Sequence, residues 1–122
     1  MSMKAFVSRP GKRLRLFLGE ADEWQGKPLS QVVVEQAHHH GALGVTVLRG
    51  IEGFGPAHHL STDRLPDIAE NLPLIVEIVD SDEQIERLLP LLDRLMQRGM
   101  ITVTPIEIIS AGEREEQWEV FH

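Results

Sequence analysis

The spacing of apolar residues changes period twice in the same order along this chain, and that repetition constrains the fold more than any other feature. From Lys12 to Glu20 the residues alternate, with Leu14, Leu16 and Leu18 on one side and Arg13, Arg15 and Phe17 on the other, the period-two signature of a strand. Pro28 then stands where a first helical residue tolerates a missing N–H, and Leu29, Val32, Val33, Ala37 and His40 recur at helical spacing until Gly41, which predicts an amphipathic helix closed by glycine. Leu43 to Ile51 returns to alternation, Val45 and Val47 against Thr46 and Leu48, in the β-branched composition of a strand.

The same sequence of periods follows a second time. Leu72 to Asp80 sets Leu74, Val76 and Ile78 against Ile75, Glu77 and Val79. Ser81 and Gln84 have the spacing of a capping box, and Ile85, Leu88, Leu89, Leu92, Leu95 and Met96 mark a helix ending at Gly99. Pro90 inside that helix predicts a local bend. Ile101 to Ile109 supplies a last strand, and Pro105 within it argues for an edge position or a bulge. The order β, α, β, β, α, β implies an α+β fold, the ferredoxin-like βαββαβ sandwich, with a four-stranded antiparallel sheet and both helices on one face. At 122 residues the chain fits one domain. It is read as residues 12–110, with terminal extensions at 1–11 and 111–122.

Composition narrows the function. There is no cysteine, so disulfides, thiolate metal sites and cysteine nucleophiles are excluded. Twelve basic against nineteen acidic residues give a net charge of −7 with no basic stripe, which argues against nucleic acid as the main partner. Lys12, Arg13 and Arg15 read as a solvated or interface face. The N-terminal stretch lacks the apolar run of a signal peptide, and no later run is long enough to span a bilayer. The expectation is a cytoplasmic protein without direct membrane insertion.

Helices can cover only one face of the sheet. Phe17, Leu48, Ile75 and Val79 have the parity of the other face, and leaving them wet would expose a large apolar patch. The expectation is a closed homo-oligomer; the alternative is that Trp118 and Phe121 of the charged tail fold back over the patch.

Three strings go beyond fold class: Trp24-Gln25-Gly26-Lys27-Pro28-Leu29; Gly44 to Leu48 running into Arg49-Gly50-Ile51-Glu52-Gly53-Phe54-Gly55; and Leu72 to Asp80 with the helix behind it. In this order and spacing they resemble the PII-like signalling proteins, in the branch catalogued as domain of unknown function 190. The resemblance implies a homotrimer that binds an adenine nucleotide in clefts between subunits. It also implies a long loop, here 53–70, that changes shape with ligand and docks on a protein target, with a membrane transporter as one candidate. The glycine-rich basic loop that PII proteins place before the last strand is reduced to Arg98-Gly99, which favours AMP or ADP over a triphosphate. The residues so implied are Arg49, Gly50, Glu52, Gly53, Phe54, Gly55, Arg98 and Gly99.

Chemistry alone offers two readings of the Arg49-to-Gly55 string. Its glycines allow positive φ and an anion-binding nest, Arg49 could pair with a phosphate, and Phe54 could stack on a purine. The plainer reading is a bent strand end with Arg49 paired to Glu52 or Glu77 and Phe54 plugging an interface. His38, His39 and His40 at a helix end, with His58 and His59 in the loop, suggest the rival class, a metal-responsive trimer of the divalent-cation-tolerance type. Adjacent helical residues diverge by about 100°, however, and no histidine pair has the i, i+4 spacing of two ligands; no obligatory metal is expected. Glu77 has no nucleophile or motif histidine beside it, so the chain is read as a non-enzyme, with Glu77 in an ion pair to Arg13, Arg15 or Arg49.

Overall fold

A computed structural model describes residues 6–56, 59–64 and 71–111. It contains four long strands, β1 (Phe6–Gly19), β2 (Gly44–Arg49), β3 (Pro73–Ser81) and β4 (Met100–Ala111), and two helices, α1 (Leu29–His39) and α2 (Asp82–Leu95). The expectations for His58, for residues 65–70 and for the segment from Gly112 onward lie outside the described residues. The strand order is β2-β3-β1-β4, with every pair antiparallel. This is the βαββαβ sandwich that the spacing implies.

Period-two alternation buries one side of the two central strands where the helices lie against it. Leu14, Leu16, Val76 and Ile78 are inaccessible and pack with Val33 and Ala37 of α1 and Ile85, Leu88 and Leu92 of α2. Each such side chain contributes about 1.5–3 kcal/mol by leaving water. The opposite parity of the same strands makes the uncovered face. There the register builds cross-strand rows. Leu48, Ile75, Phe17 and Met100 form an apolar row at one end; Thr46, Glu77, Arg15 and Thr102 form the next; Gly44, Val79, Arg13 and Thr104 form a third. Beyond them lie Gly11 with Ile106, and Arg9 with Ile108. The face is therefore apolar at one end and cationic at the other, not uniformly greasy. Leu48 is 46% exposed and Phe17, Ile75 and Val79 are half-buried, none of them beneath the helices.

Several boundaries differ from expectation for local reasons. β1 starts at Phe6 because residues 6–11, placed by sequence in an N-terminal extension, pair with 106–111 of β4. Pro105 does lie on an edge strand, opposite Lys12. Pro28 is the N-cap of α1 instead of its first residue, because it closes a tight hairpin, Glu23–Trp24 against Lys27–Pro28. Gln25 and Gly26 turn that hairpin with φ of 49° and 82°, the positive pair that a two-residue turn requires. The Leu29 N–H then donates to the Asp22 carbonyl at 2.8 Å.

Gly41, at φ 74°, ends α1 with its N–H on the His38 carbonyl and that of Ala42 on the Ala37 carbonyl, a Schellman pair. At α2 only half of the capping box forms. Ser81 accepts from the Gln84 N–H at 3.3 Å, while the Gln84 amide reaches the His40 carbonyl and joins the start of α2 to the end of α1. Pro90 costs α2 one backbone hydrogen bond, yet the helix continues to Leu95 because the buried Leu88, Leu92 and Leu95 hold it on the sheet. Among the described residues no helix is long and apolar enough to cross a membrane.

Candidate functional site

Where β1 ends, β3 begins and β4 begins, three chain segments meet at one end of the sheet. Glu20 donates its N–H to the Leu72 carbonyl, Asn71 accepts from the Ala21 N–H at 2.8 Å, and Asp22 accepts from the Gly19 N–H at 2.8 Å. These bonds hold the turn after β1 against the entry to β3. The segment after β2 folds over the same end. Gly50 donates to the Pro73 carbonyl at 2.7 Å, and a Cβ at this position would come within 2.7 Å of the Pro73 ring. A glycine is thus needed for the chain to leave β2 this close to β3.

The long loop has a built base. Glu52–Gly53 pairs with Ser61–Thr62, the two latter residues are buried, and Asp63 donates to the Ile51 carbonyl at 2.8 Å. The Glu52 carboxylate takes a hydrogen bond from Arg64. That bond and one from Thr62 hold its pKa below the usual 4.5, and the same contact raises the Arg64 guanidinium.

Between these parts lies a cleft of about 530 Å³. Gly53, Phe54, Gly55, Pro56 and His59 wall it from the loop; Phe17 and Asp22 from β1 and its turn; Asn71 and Pro73 from β3; and Arg98, Gly99 and Met100 from the entry to β4. Gly99 takes φ 87°, and a Cβ there would sit 2.2 Å from the Phe17 carbonyl oxygen, so a side chain cannot be added without moving the backbone. Five of the eight residues singled out in the sequence are therefore brought to one cleft: Gly53, Phe54, Gly55, Arg98 and Gly99. The other three are not. Arg49 points to Glu20, with Nε 3.3 Å from a carboxylate oxygen; Gly50 serves the strand exit; Glu52 serves the loop base.

Chemically the cleft offers an exposed aromatic ring, one guanidinium, and backbone at two glycine-rich bends. Phe54 is 60% exposed. Such a set suits a planar apolar group carrying an anion. Phe17 and Met100 belong both to the cleft and to the apolar row of the uncovered face. Sequence reasoning missed Asp22 and Asn71, and it read His59 as a candidate metal ligand instead of a wall of this cleft. Asp22 and Asn71 have a turn-residue signal, and nothing in the sequence brings them together.

Glu77 pairs with Arg15 at 3.1 Å on the uncovered face, one of its three sequence-level partners. The histidines at the end of α1 act locally: His40 Nδ1 lies 2.8 Å from the Gln36 carbonyl, and the His39 and His40 rings meet edge to face. Among the described residues no group of three or more His, Cys, Asp or Glu gathers.

Residues 11–108 match the DUF190 family, described as an uncharacterized ancient-conserved-region (ACR) family. A UPF0166 protein of Aquifex aeolicus is 35% identical over 98 residues, covering 80% of this chain and 92% of that one. Among solved structures, CPII from Thiomonas intermedia K12, a nitrogen regulatory PII-like protein bound to ADP, AMP and bicarbonate, superposes with a TM-score of 0.60. It is 16% identical, and the match covers 88% of this chain and 93% of CPII. CutA1 from Oryza sativa gives a TM-score of 0.57 at 12% identity, covering 91% of each chain. At these identities the likeness to solved structures is one of fold.

Proposed function

The chain belongs to the DUF190 family, and from that premise we propose that it is a PII-like ligand-sensing homotrimer that binds AMP or ADP in clefts between subunits and signals through its 53–70 loop. The carrying observation is the cleft. Two strings more than forty positions apart in sequence, Gly53-Phe54-Gly55 and Arg98-Gly99, line the same cavity. Phe54 stacks on the base, Arg98 pairs with a phosphate, and the glycines let backbone N–H groups approach it. Arg49 and Glu52 act one step away, setting where the loop leaves the sheet. One guanidinium per subunit is modest for a triphosphate and suits a mono- or diphosphate. CPII, which shares the fold, is bound to ADP and AMP, and this supports the choice of ligand class.

A neighbouring copy is part of the reading because the cleft opens beside the apolar row of Leu48, Ile75, Phe17 and Met100. A second subunit packed on that row covers the greasy end of the face and closes the cleft in one step. Ligand binding is then read out through the loop that rises from the Glu52–Thr62 base, and that loop meets a protein target without catalysis. Glu77, the carboxylate with the strongest claim to chemistry, is occupied by Arg15.

The test is a thermal shift of metal-free protein with AMP, ADP, ATP, cyclic nucleotides and divalent ions in turn. Ligand at 100 times its dissociation constant adds about 2.7 kcal/mol, a rise of several degrees. AMP or ADP should raise the midpoint, and Arg98→Ala should cancel the rise. A response to zinc or copper alone would favour the metal-responsive reading and overturn this one. A monomer by light scattering would remove the cleft's second wall.

A further inference from the structure

Two polar side chains of the cleft are each held by one atom and left open at the other. Asp22 Oδ2 accepts from the Gly19 N–H at 2.8 Å, and the Asp22 N–H donates back to the Gly19 carbonyl at 3.1 Å. Asn71 Oδ1 accepts from the Ala21 N–H at 2.8 Å, which fixes the amide with Nδ2 as its remaining donor. Gly19 makes room for that amide, since a Cβ there would come 2.9 Å from Nδ2. Among the described residues neither Asp22 Oδ1 nor Asn71 Nδ2 has a hydrogen-bond partner. One wall of the cleft thus carries a fixed acceptor and a fixed donor that the fold itself does not use.

The position of the pair in the sheet selects what it meets. β1 lies between β3 and β4, and Asp22 and Asn71 stand at its end, where Gly19 pairs with Pro73. On the β3 side Gly53 passes the Pro73 ring and leads into Phe54; on the β4 side Gly99, beside the Phe17 carbonyl, follows Arg98. The aromatic ring and the guanidinium therefore flank the pair. A carboxylate repels a phosphate, so the anionic part of a ligand lies toward Arg98 and away from Asp22. A base edge has a fixed order of donors and acceptors, whereas a hydroxyl both donates and accepts. Adjacent hydroxyls satisfy a carboxylate oxygen and an amide N–H together. In a nucleotide those hydroxyls belong to the ribose, which joins base to phosphate as these two residues stand between Phe54 and Arg98. An acidic side chain on a ribose hydroxyl is a recurrent pairing in nucleotide sites.

We infer that Asp22 and Asn71 recognise the ribose of the bound nucleotide, Asp22 Oδ1 accepting from one sugar hydroxyl and Asn71 Nδ2 donating to its neighbour, so that the cleft selects ribonucleotides. The inference rests on the nucleotide reading of this cleft. Asp22 is half-buried and Asn71 exposed, so water competes with the ligand and the selection is modest. The test is titration calorimetry of the full chain with AMP and with 2′,3′-dideoxy-AMP, which keeps base and phosphate. AMP should bind about tenfold tighter, the lower end for a hydrogen bond to a charged acceptor. Asp22→Ser keeps one oxygen for the Gly19 N–H and removes the other, and should erase most of that preference. Equal affinity for the two ligands in the unaltered chain overturns the inference, whatever the variant does. So does an Asp22→Ser protein that weakens both ligands by one factor, the mark of a loosened turn or a contact to the base. Either result leaves the nucleotide site standing. Binding of neither ligand overturns the inference together with the reading it rests on.

Discussion

Asp80 is inaccessible, and its two carboxylate oxygens accept from different segments: Oδ2 from the Leu43 N–H at 2.9 Å, Oδ1 from the Ser81 N–H at 2.7 Å. Asp80 thereby joins the approach to β2 to the start of α2, across a sequence separation that no backbone ladder spans at that point. A hydrogen bond to a charged acceptor is worth about 1.5–3 kcal/mol, so Asp80→Ala should cost about 3–5 kcal/mol against a domain stability of about 5–15 kcal/mol. Asp80→Asn keeps one acceptor oxygen and turns the other into a donor facing an N–H, so it should lose about half as much. Urea denaturation followed by circular dichroism should show a midpoint lowered in that ratio at unchanged slope. Equal stability of all three proteins would refute the reasoning. An Asp80→Asn protein with full stability and no nucleotide response would make Asp80 a functional carboxylate instead.

Gly99→Ala combines φ 87° with a 2.2 Å approach to the Phe17 carbonyl; it should cost more than the usual 1–3 kcal/mol of such backbone strain and weaken AMP binding, read by melting and titration calorimetry. Ile75→Arg places a charge in the middle of the apolar row, and should give a folded monomer by light scattering with unchanged far-ultraviolet circular dichroism. Glu52 has its carboxyl depressed below 4.5 in the folded loop, so its contribution is present above that value and lost as pH falls through the lowered one. Backbone amide shifts of residues 52–54 and 61–62 should report this loss, and Glu52→Gln should remove the pH dependence. Leu16→Ala, in the centre of the core, should cost about 2–5 kcal/mol without altering the oligomer.

The elements were legible because each is a local period. Leu14, Leu16 and Leu18 can be buried together only on a strand, and Ile85, Leu88 and Leu92 only on a helix. Gly41 and Pro105 were legible for similar reasons, since positive φ and a missing N–H act within a few residues. The short hairpin around Gln25 and Gly26 escaped notice because its strands are two residues long and have no period to read. The half-formed capping box escaped because the better partner for Gln84, the His40 carbonyl, is 44 positions away. Of the eight proposed cleft residues, the five that meet are glycines, an aromatic and an arginine at chain bends. Arg49 and Glu52 went elsewhere because Glu20 and Arg64 are closer in space, and residue type alone does not show that.

The amino-acid sequence by itself determined the layers: which side of each central strand is dry, which segments form the helices, and that the two helices cover only one sheet face. Those outcomes depend on spacing along the chain, which is present before folding. Tertiary structure alone decided which rows form across the uncovered face, that Arg15 rather than Arg13 takes Glu77, and that Arg98 and Phe54 line one cleft. Such pairings depend on register between strands far apart in sequence, and a shift of one residue would have replaced every one of them.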